Sequence, residues 1–120
     1  MADRPLVAVV DDDESVRESL PPLLRELGYR VEAFASASEF LASEIIGKTK
    51  CLVLDITMPG MSGLDLQREL RARRHDIPII FITANGGDSP TRVIEQGAVA
   101  CLLKPFSDVA LLEALETVFS

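Results

Sequence analysis

The sequence has little of several residue types, and each shortage excludes a class of protein. It has no tryptophan, and aromatic residues make up only 5% of its 120 residues, so the core must be built from Leu, Val, Ile and Ala. The two cysteines, Cys51 and Cys101, lack a companion at metal-binding spacing, which predicts buried reduced thiols without a disulfide or zinc site. The single histidine, His75, falls in a polar loop, where we expect an exposed side chain and not a ligand or phosphodonor.

The chain also lacks a long apolar run and an excess of positive charge. No run approaches the roughly 18 apolar residues that span a bilayer. The first residues do not have the layout of a signal peptide, so we expect a cytoplasmic protein with no membrane partner. The formal net charge of -7 argues against direct nucleic-acid binding by this chain, because phosphate neutralisation needs a clustered basic surface.

What is present predicts one domain, residues 1–120, of the α/β class. The composition is 48% hydrophobic, enough for a core at this length. Five apolar runs alternate with five helical patterns, which predicts a five-stranded parallel sheet with five helices on both faces. The predicted strands are 6–10, 29–34, 51–54, 79–83 and 99–103. The predicted helices cover about 15–27, a short segment after Ser36, 62 to about 74, 89 to about 96, and 107 or 108 to the end.

Two turn and helix features refine this outline. After Asp55, Gly60 and Gly63 are expected to supply backbone freedom, and Ser62 is predicted to cap the next helix. Pro21 and Pro22 fall in the middle of the first helix. A proline there removes a hydrogen bond and costs about 3 kcal/mol, so we expect a kink or a local break.

Polar side chains stand where four of the five predicted strands end. Asp11 and Asp12 follow the first strand, Asp55 the third, Thr83 the fourth and Lys104 the fifth. Each has an ordinary explanation as a cap, a turn residue, a strand terminator or a surface lysine, but the ends of parallel strands share one edge. Three adjacent carboxylates raise one another's pKa unless a cation is present, which points to a hard divalent ion such as Mg²⁺. Together these groups predict phosphoryl transfer, with Asp55 as nucleophile.

Four motifs around these positions resemble the receiver domains of two-component response regulators. They are VVDDDESVR, LDITMPGMSG, FITA and LLKPF, in this order along the whole chain. The stretches MSGLDLQREL and IPIIFITANG look most like receivers of the nitrogen-fixation regulator group, which precede a helix-turn-helix transcription domain. The resemblance implies a flavodoxin-like sheet with strand order 2-1-3-4-5.

The resemblance also implies a role for each site residue. Asp55 would be the phosphoacceptor, Asp12 a direct Mg²⁺ ligand and Asp11 a ligand acting through water, with the backbone carbonyl of Thr57 as a third protein ligand. Thr83 and Lys104 would hold the phosphoryl group, and the peptide bond between Lys104 and Pro105 would be cis.

Partners and output follow from the same resemblance. A sensor histidine kinase or phosphotransfer protein would donate the phosphoryl group, and the chain would catalyse only its own phosphorylation and dephosphorylation, so it is no enzyme in the usual sense. A face formed by the fourth helix, fifth strand and last helix would switch and dock an output domain or a second copy. Many receivers carry Tyr or Phe where this chain has Cys101, so the switch is expected to rely on Thr83 and on backbone shifts in 85–88.

Three other functions compete with this interpretation. A phosphatase of the haloacid dehalogenase type would need an acid two residues after the nucleophile, where Thr57 stands. A nucleotide binder would need a glycine-rich loop after the first strand, and none is present there. A phosphorylation-independent binding module with the receiver fold would show a missing acid, threonine or lysine, and all are present.

Overall fold

The computed structural model describes residues 4–84 and 97–119, which form an α/β fold around one parallel sheet. Its strands are β1 (Leu6–Val10), β2 (Arg30–Phe34), β3 (Thr49–Asp55), β4 (Ile79–Thr83) and β5 (Ala100–Leu103). The α-helices within the described residues are α1 (Glu14–Glu26), α2 (Ala37–Leu41), α3 (Gly63–Ala72) and α4 (Asp108–Phe119). A 3-10 helix, Ile46–Lys48, leads into β3.

The strand order is β2-β1-β3-β4-β5, and all four pairings are parallel. This confirms the predicted flavodoxin-like sheet. The helix predicted from Ser89 lies outside the described residues. In the part of the chain that the structure describes, no helix is long and apolar enough to cross a bilayer.

The central strands are buried on both faces of the sheet. Their apolar side chains point alternately to one face and to the other, so each strand contributes to two hydrophobic cores. One face packs against α1 and α4 and uses Val7 and Val9 of β1 together with Ile80 and Ile82 of β4. The opposite face packs against α2 and α3, where the alternate residues of the same strands meet Phe40, among others. Among the described residues, two helices therefore cover each side of the sheet.

Helix α1 corrects one expectation. It runs without a break from Glu14 to Glu26 through Pro21 and Pro22. Pro21 is buried beside Leu20, on the side of the helix that faces the sheet, whereas Pro22 is exposed. Packing of that apolar face against the sheet holds the helix together, although each proline withholds a hydrogen bond.

Candidate functional site

Backbone hydrogen bonds just beyond the strands fix the positions of the polar strand ends. The Asp11 amide donates to the Phe34 carbonyl at 3.1 Å, which extends the pairing of β1 with β2 by one residue. The Ile56 amide donates to the Ile82 carbonyl at 2.9 Å, and the Lys104 amide donates to the Thr83 carbonyl at 2.8 Å. These hydrogen bonds anchor the backbone to the sheet at or next to the predicted site residues Asp11, Asp55 and Lys104.

Three of the predicted residues are in direct contact. Lys104 Nζ lies 3.0 Å from Asp11 Oδ2 and 3.6 Å from Asp55 Oδ2. Asp11 is fully buried and Asp55 is 4% exposed, whereas the Lys104 side chain is 23% exposed. A single ammonium therefore faces two buried carboxylates at the opening of the site. The peptide bond that follows it, to Pro105, is cis, as the resemblance implies.

The electrostatics of the site show that the acids outnumber the cation. Burial raises the pKa of Asp55 to about 7, and the neighbouring Asp11 charge adds to this effect. Lys104 and a hydrogen bond from the Thr57 amide act in the opposite direction but do not offset it. For Lys104, burial lowers the pKa, but the adjacent Asp11 carboxylate, 3.0 Å away, outweighs burial and leaves the pKa raised. The arrangement favours a further positive charge beside the two acids.

The carboxylates fit a metal ion. One oxygen from each of Asp11, Asp12 and Asp55 can be chosen so that all three lie within 4.8 Å of one another. Asp11 Oδ2 is buried, and among the described residues nothing donates a hydrogen bond to it, since the Lys104 contact is an ion pair without hydrogen-bond geometry. Asp12 is exposed and completes the cluster from the solvent side. An all-oxygen set in which a single ammonium faces two buried acids suits a hard divalent cation.

The two threonines of the predicted site lie beside this cluster. The Thr57 amide donates to Asp55 Oδ1 at 3.2 Å, which orients the carboxylate. Whether the Thr57 carbonyl is a metal ligand stays a prediction. Thr83 is the last residue of β4 and is fully buried. Its hydroxyl donates to the adjacent Ala84 carbonyl at 3.3 Å, so its predicted contact with a phosphoryl group would require it to exchange this partner.

Two residues shape the loop between β1 and α1, and sequence reasoning missed one of them, Arg17. Asp13 is the N-cap of α1 and accepts hydrogen bonds from the Ser15 amide and hydroxyl at 2.9 and 2.8 Å. Arg17, one turn into the helix, donates from Nη1 to the Asp11 backbone carbonyl at 2.8 Å. The loop that carries Asp11 and Asp12 is therefore fixed from the helix side. No residue type in the sequence signals this contact, because the acceptor is a backbone carbonyl.

The loop after β3 is fixed by a helix N-terminus that lies against it. Ser62 caps α3 as predicted, within a reciprocal capping box that includes Asp65. Gly60 has the positive φ (77°) of a residue that needs backbone freedom, but Gly63 does not. A Cβ at Gly63 would overlap the Asp55 carbonyl oxygen and lie 2.9 Å from Ile56 Cα. This glycine is required by close approach and not by its backbone angles.

His75 and the two cysteines are predicted to take no part in the site, and His75 and Cys101 differ slightly from the predicted exposure. His75 is partly buried in the turn after α3, where its amide donates to the Leu70 carbonyl at 2.8 Å. Neither Cys51 nor Cys101 forms a disulfide. Cys51 is buried, and burial raises its pKa to about 12, whereas Cys101 is only partly buried. Residues 85–88, predicted to take part in the switch, lie outside the described residues.

Comparisons with known proteins agree with this geometry. The family model for the response regulator receiver domain matches residues 7–116. Over 111 residues the chain is 50% identical to Nodulation protein W of Bradyrhizobium diazoefficiens and 42% identical to the transcriptional regulatory protein FixJ of Azorhizobium caulinodans. These alignments cover 92% and 91% of this chain but 49% and 52% of the relatives.

A solved structure extends the comparison to the fold. The response regulator StyR superposes with a TM-score of 0.86 at 50% identity, over 95% of this chain and 58% of that one. The chain thus spans about half the length of the curated relatives that it matches. The similarity to FixJ supports the resemblance to the nitrogen-fixation group. With a family match over most of its length and an acidic strand-end cluster, the chain belongs to the response regulator receiver domains.

Proposed function

We propose that the chain receives a phosphoryl group on Asp55 and thereby controls an output. One observation carries this proposal: a nearly buried aspartate at the end of the central strand lies 3.6 Å from a lysine ammonium and beside two further acids. Burying charged groups costs stability because desolvation can exceed the gain from the ion pair, which favours a functional role for this arrangement over a purely structural one. The proposed chemistry uses each of the converging groups.

In the proposed reaction, an Asp55 carboxylate oxygen forms a bond to phosphorus while the bond between phosphorus and the donor imidazole nitrogen breaks. The electron pair of that bond leaves with the imidazole, which is the neutral leaving group when its ring carries one proton. Lys104 stabilises negative charge on the transferring oxygens, and the Thr83 hydroxyl donates to another of them. In dephosphorylation, water attacks phosphorus, the bond from phosphorus to the Asp55 oxygen breaks, inorganic phosphate leaves and the Asp55 carboxylate is restored. The chain would thus catalyse only its own phosphorylation and dephosphorylation.

Magnesium is the proposed cofactor, held by Asp12, Asp11 and Asp55 with the Thr57 carbonyl. When bound, the ion supplies positive charge that neutralises the phosphoryl oxygens as the new bond forms. Arg17 and the capped helix α1 hold the loop that presents two of these acids. These contacts would hold the carboxylate oxygens of Asp11 and Asp12 in place before the phosphodonor binds.

The proposed partners are a sensor histidine kinase or a phosphotransfer protein as donor, and an output domain or a second copy as receiver of the signal. Two apolar side chains support a docking surface near the site, since Leu103 is 48% and Val109 63% exposed. In the sequence, Leu103 directly precedes Lys104 and Val109 follows Pro105 by four residues, so we propose that a movement of Lys104 on phosphorylation would reach this surface. Control of transcription is proposed from the relatives, one of which is named a transcriptional regulatory protein. The cytoplasmic location stays a prediction.

Intact-protein mass spectrometry after incubation with acetyl phosphate tests the proposal. We expect one phosphoryl adduct on the wild type in Mg²⁺, none in EDTA, and none on Asp55→Asn. Asp76→Asn, which alters an exposed aspartate outside the site, is the matched control and should keep the adduct. An adduct on Asp55→Asn would place the phosphoacceptor elsewhere. No adduct on folded wild type that binds Mg²⁺ would favour the phosphorylation-independent binding module.

A further inference from the structure

A cleft of about 690 Å³ lies at the amino edge of the sheet, at the opposite end of the strands from Asp55. Four cationic side chains line it, and each comes from a different element: Arg4 before β1, Arg30 at the start of β2, Lys48 at the end of the 3-10 helix and Lys50 in β3. No acidic side chain is among its lining residues in the described part of the chain. We call this feature the basic cleft.

The cations of the basic cleft are unpaired in an acidic chain. Within residues 4–84 and 97–119, no carboxylate lies within 4.0 Å of any of the four charged groups. By contrast, the exposed arginines Arg68 and Arg73 on α3 each have an ion-pair partner, at 2.8 and 2.9 Å. Four like charges around one cavity repel each other and create a positive potential, which a bound anion would relieve.

The strand register places these cations at a useful spacing. Leu6 of β1 pairs with Arg30 on one side and with Thr49, the neighbour of Lys50, on the other. The backbones of Arg30 and Lys50 are therefore about two strand spacings apart, roughly 10 Å. Long side chains that begin 10 Å apart on both sides of a cavity can reach one small ligand between them.

The remaining walls limit the chemistry of that ligand. Pro5, Leu6 and Phe119 supply apolar surface, and the Phe119 ring packs on Tyr29 with the ring centroids 5.2 Å apart. The volume is in the range of small-molecule sites. A nucleic acid would bring many phosphates against an acidic molecule of net charge -7, and the cations surround one cavity instead of forming a stripe.

We infer that the basic cleft binds a nucleotide-sized organic polyphosphate, with its phosphates on the four cations and its apolar part against Phe119. The cleft and the acidic site occupy opposite edges of the sheet, so this binding does not depend on phosphoryl transfer at Asp55. An adjoining cavity of about 300 Å³ shares Arg4 and Arg30 and adds Arg25 and Glu32, whose opposite charges offset each other, so the excess of positive charge is concentrated in the basic cleft.

Proton-nitrogen NMR titration of the ¹⁵N-labelled chain in EDTA tests the inference, with inorganic tripolyphosphate and ATP as probes. We expect saturable shifts at the amides of Arg30, Lys48 and Lys50 and none at Asp55, with ATP binding more tightly than tripolyphosphate because of its ring. Added salt should weaken both probes. EDTA and the absence of a phosphodonor keep this result separate from the outcome at the acidic site.

The matched variants remove two charges each. Arg30→Gln/Lys50→Gln should bind ATP about tenfold more weakly, equivalent to 1.4 kcal/mol. Arg68→Gln/Arg73→Gln, with the same change in charge outside the cleft, should differ from wild type by less than twofold. If the first variant fails to fold, Lys48→Gln/Lys50→Gln replaces it with the same expected weakening.

Four results would overturn the inference. Shifts that do not saturate, or an equal loss in both double variants, would show diffuse counterion binding. Equal affinity for ATP and tripolyphosphate would remove the role of the apolar wall. Tighter binding of a polyglutamate peptide than of either probe would assign the basic cleft to an acidic protein partner instead.

Discussion

The two edges of the sheet hold charge in opposite ways. At the carboxyl edge, Asp11 and Asp55 are buried within ion-pair distance of Lys104. At the amino edge, Arg30 and Lys50 are exposed and have no ion-pair partner among the described residues. Buried charges reduce stability but fix the geometry of a site, whereas exposed charges cost little and only bias the local potential. The carboxyl edge therefore has a fixed charge geometry, whereas the amino edge presents an open positive surface.

The largest expected effect is on the pH dependence of stability at the carboxyl edge. The pKa of Asp55 is raised from 3.8 to about 7 by burial and by Asp11. Between these values the unfolded chain loses a proton that the folded chain keeps, so the free energy of unfolding falls as pH rises from about 4 to about 7. Asp55→Asn cannot ionise and should be more stable than wild type at pH 8 by on the order of 3 kcal/mol, with the difference vanishing near pH 4.

Urea unfolding in EDTA from pH 4 to pH 8 measures this difference. Asp76→Asn, at an exposed position, should give a curve parallel to that of the wild type. Added Mg²⁺ should stabilise the wild type more than Asp55→Asn, because it binds the folded state through the missing carboxylate. Parallel curves for the wild type and Asp55→Asn would mean that Asp55 ionises as easily in the folded chain as in the unfolded one.

The next largest effect is expected on the free energy of unfolding when a glycine at each edge is replaced by alanine. Gly63→Ala places a Cβ against the backbone of Asp55 and Ile56, so the N-terminus of α3 must move away from the site. We expect a loss of about 2 to 3 kcal/mol in the free energy of unfolding. Gly47 lines the basic cleft and has open space around its Cβ position, so Gly47→Ala should be nearly neutral. Equal losses in the two variants would show that the close approach at Gly63 does not limit stability.

Much of this fold could be predicted because its signals are local. Uniform apolar runs that stop at an acid or a threonine predict buried strands, and the convergence of Asp11, Asp55 and Lys104 follows from parallel strands. The strand order did not come from local pattern; it came from the family resemblance. Ser62 could be predicted as a cap because a serine between a turn and a helical pattern is a local signal, and the structure adds its hydrogen bond from the Asp65 amide.

The parts that could not be predicted depend on contacts between distant or ambiguous groups. Arg17 donates to a backbone carbonyl, which leaves no complementary residue type in the sequence. Gly63 was assigned to backbone freedom, but its reason is the nearby strand end. The continuity of α1 through Pro21 and Pro22 is decided by packing against the sheet, which outweighs local propensity.

Replacing Arg17 is expected to have a smaller effect than the substitutions at Asp55 and Gly63, and this effect is on the affinity for Mg²⁺. Arg17→Met removes the hydrogen bond that fixes the Asp11 carbonyl and so loosens the loop that carries Asp11 and Asp12. We expect the Kd for Mg²⁺, measured by calorimetry, to rise about fivefold, because that factor corresponds to the free energy of about one hydrogen bond. High salt is used because the lost positive charge would otherwise favour the ion. Arg25→Met, later on the same helix, is the control, and unchanged affinity in both variants would remove Arg17 from the site.

The smallest effect is expected from the cations of the amino edge. Arg30 and Lys50 are exposed and unpaired among the described residues, so Arg30→Gln and Lys50→Gln should each change the free energy of unfolding by less than about 0.5 kcal/mol. Arg68→Gln, which breaks an exposed ion pair with Asp65 at 2.8 Å, should do no more, because such pairs contribute little. A loss above about 1 kcal/mol at Arg30 or Lys50 would mean that these cations stabilise the fold. The basic cleft would then have a structural reason for its charge, and the contrast between the two edges would rest on burial alone.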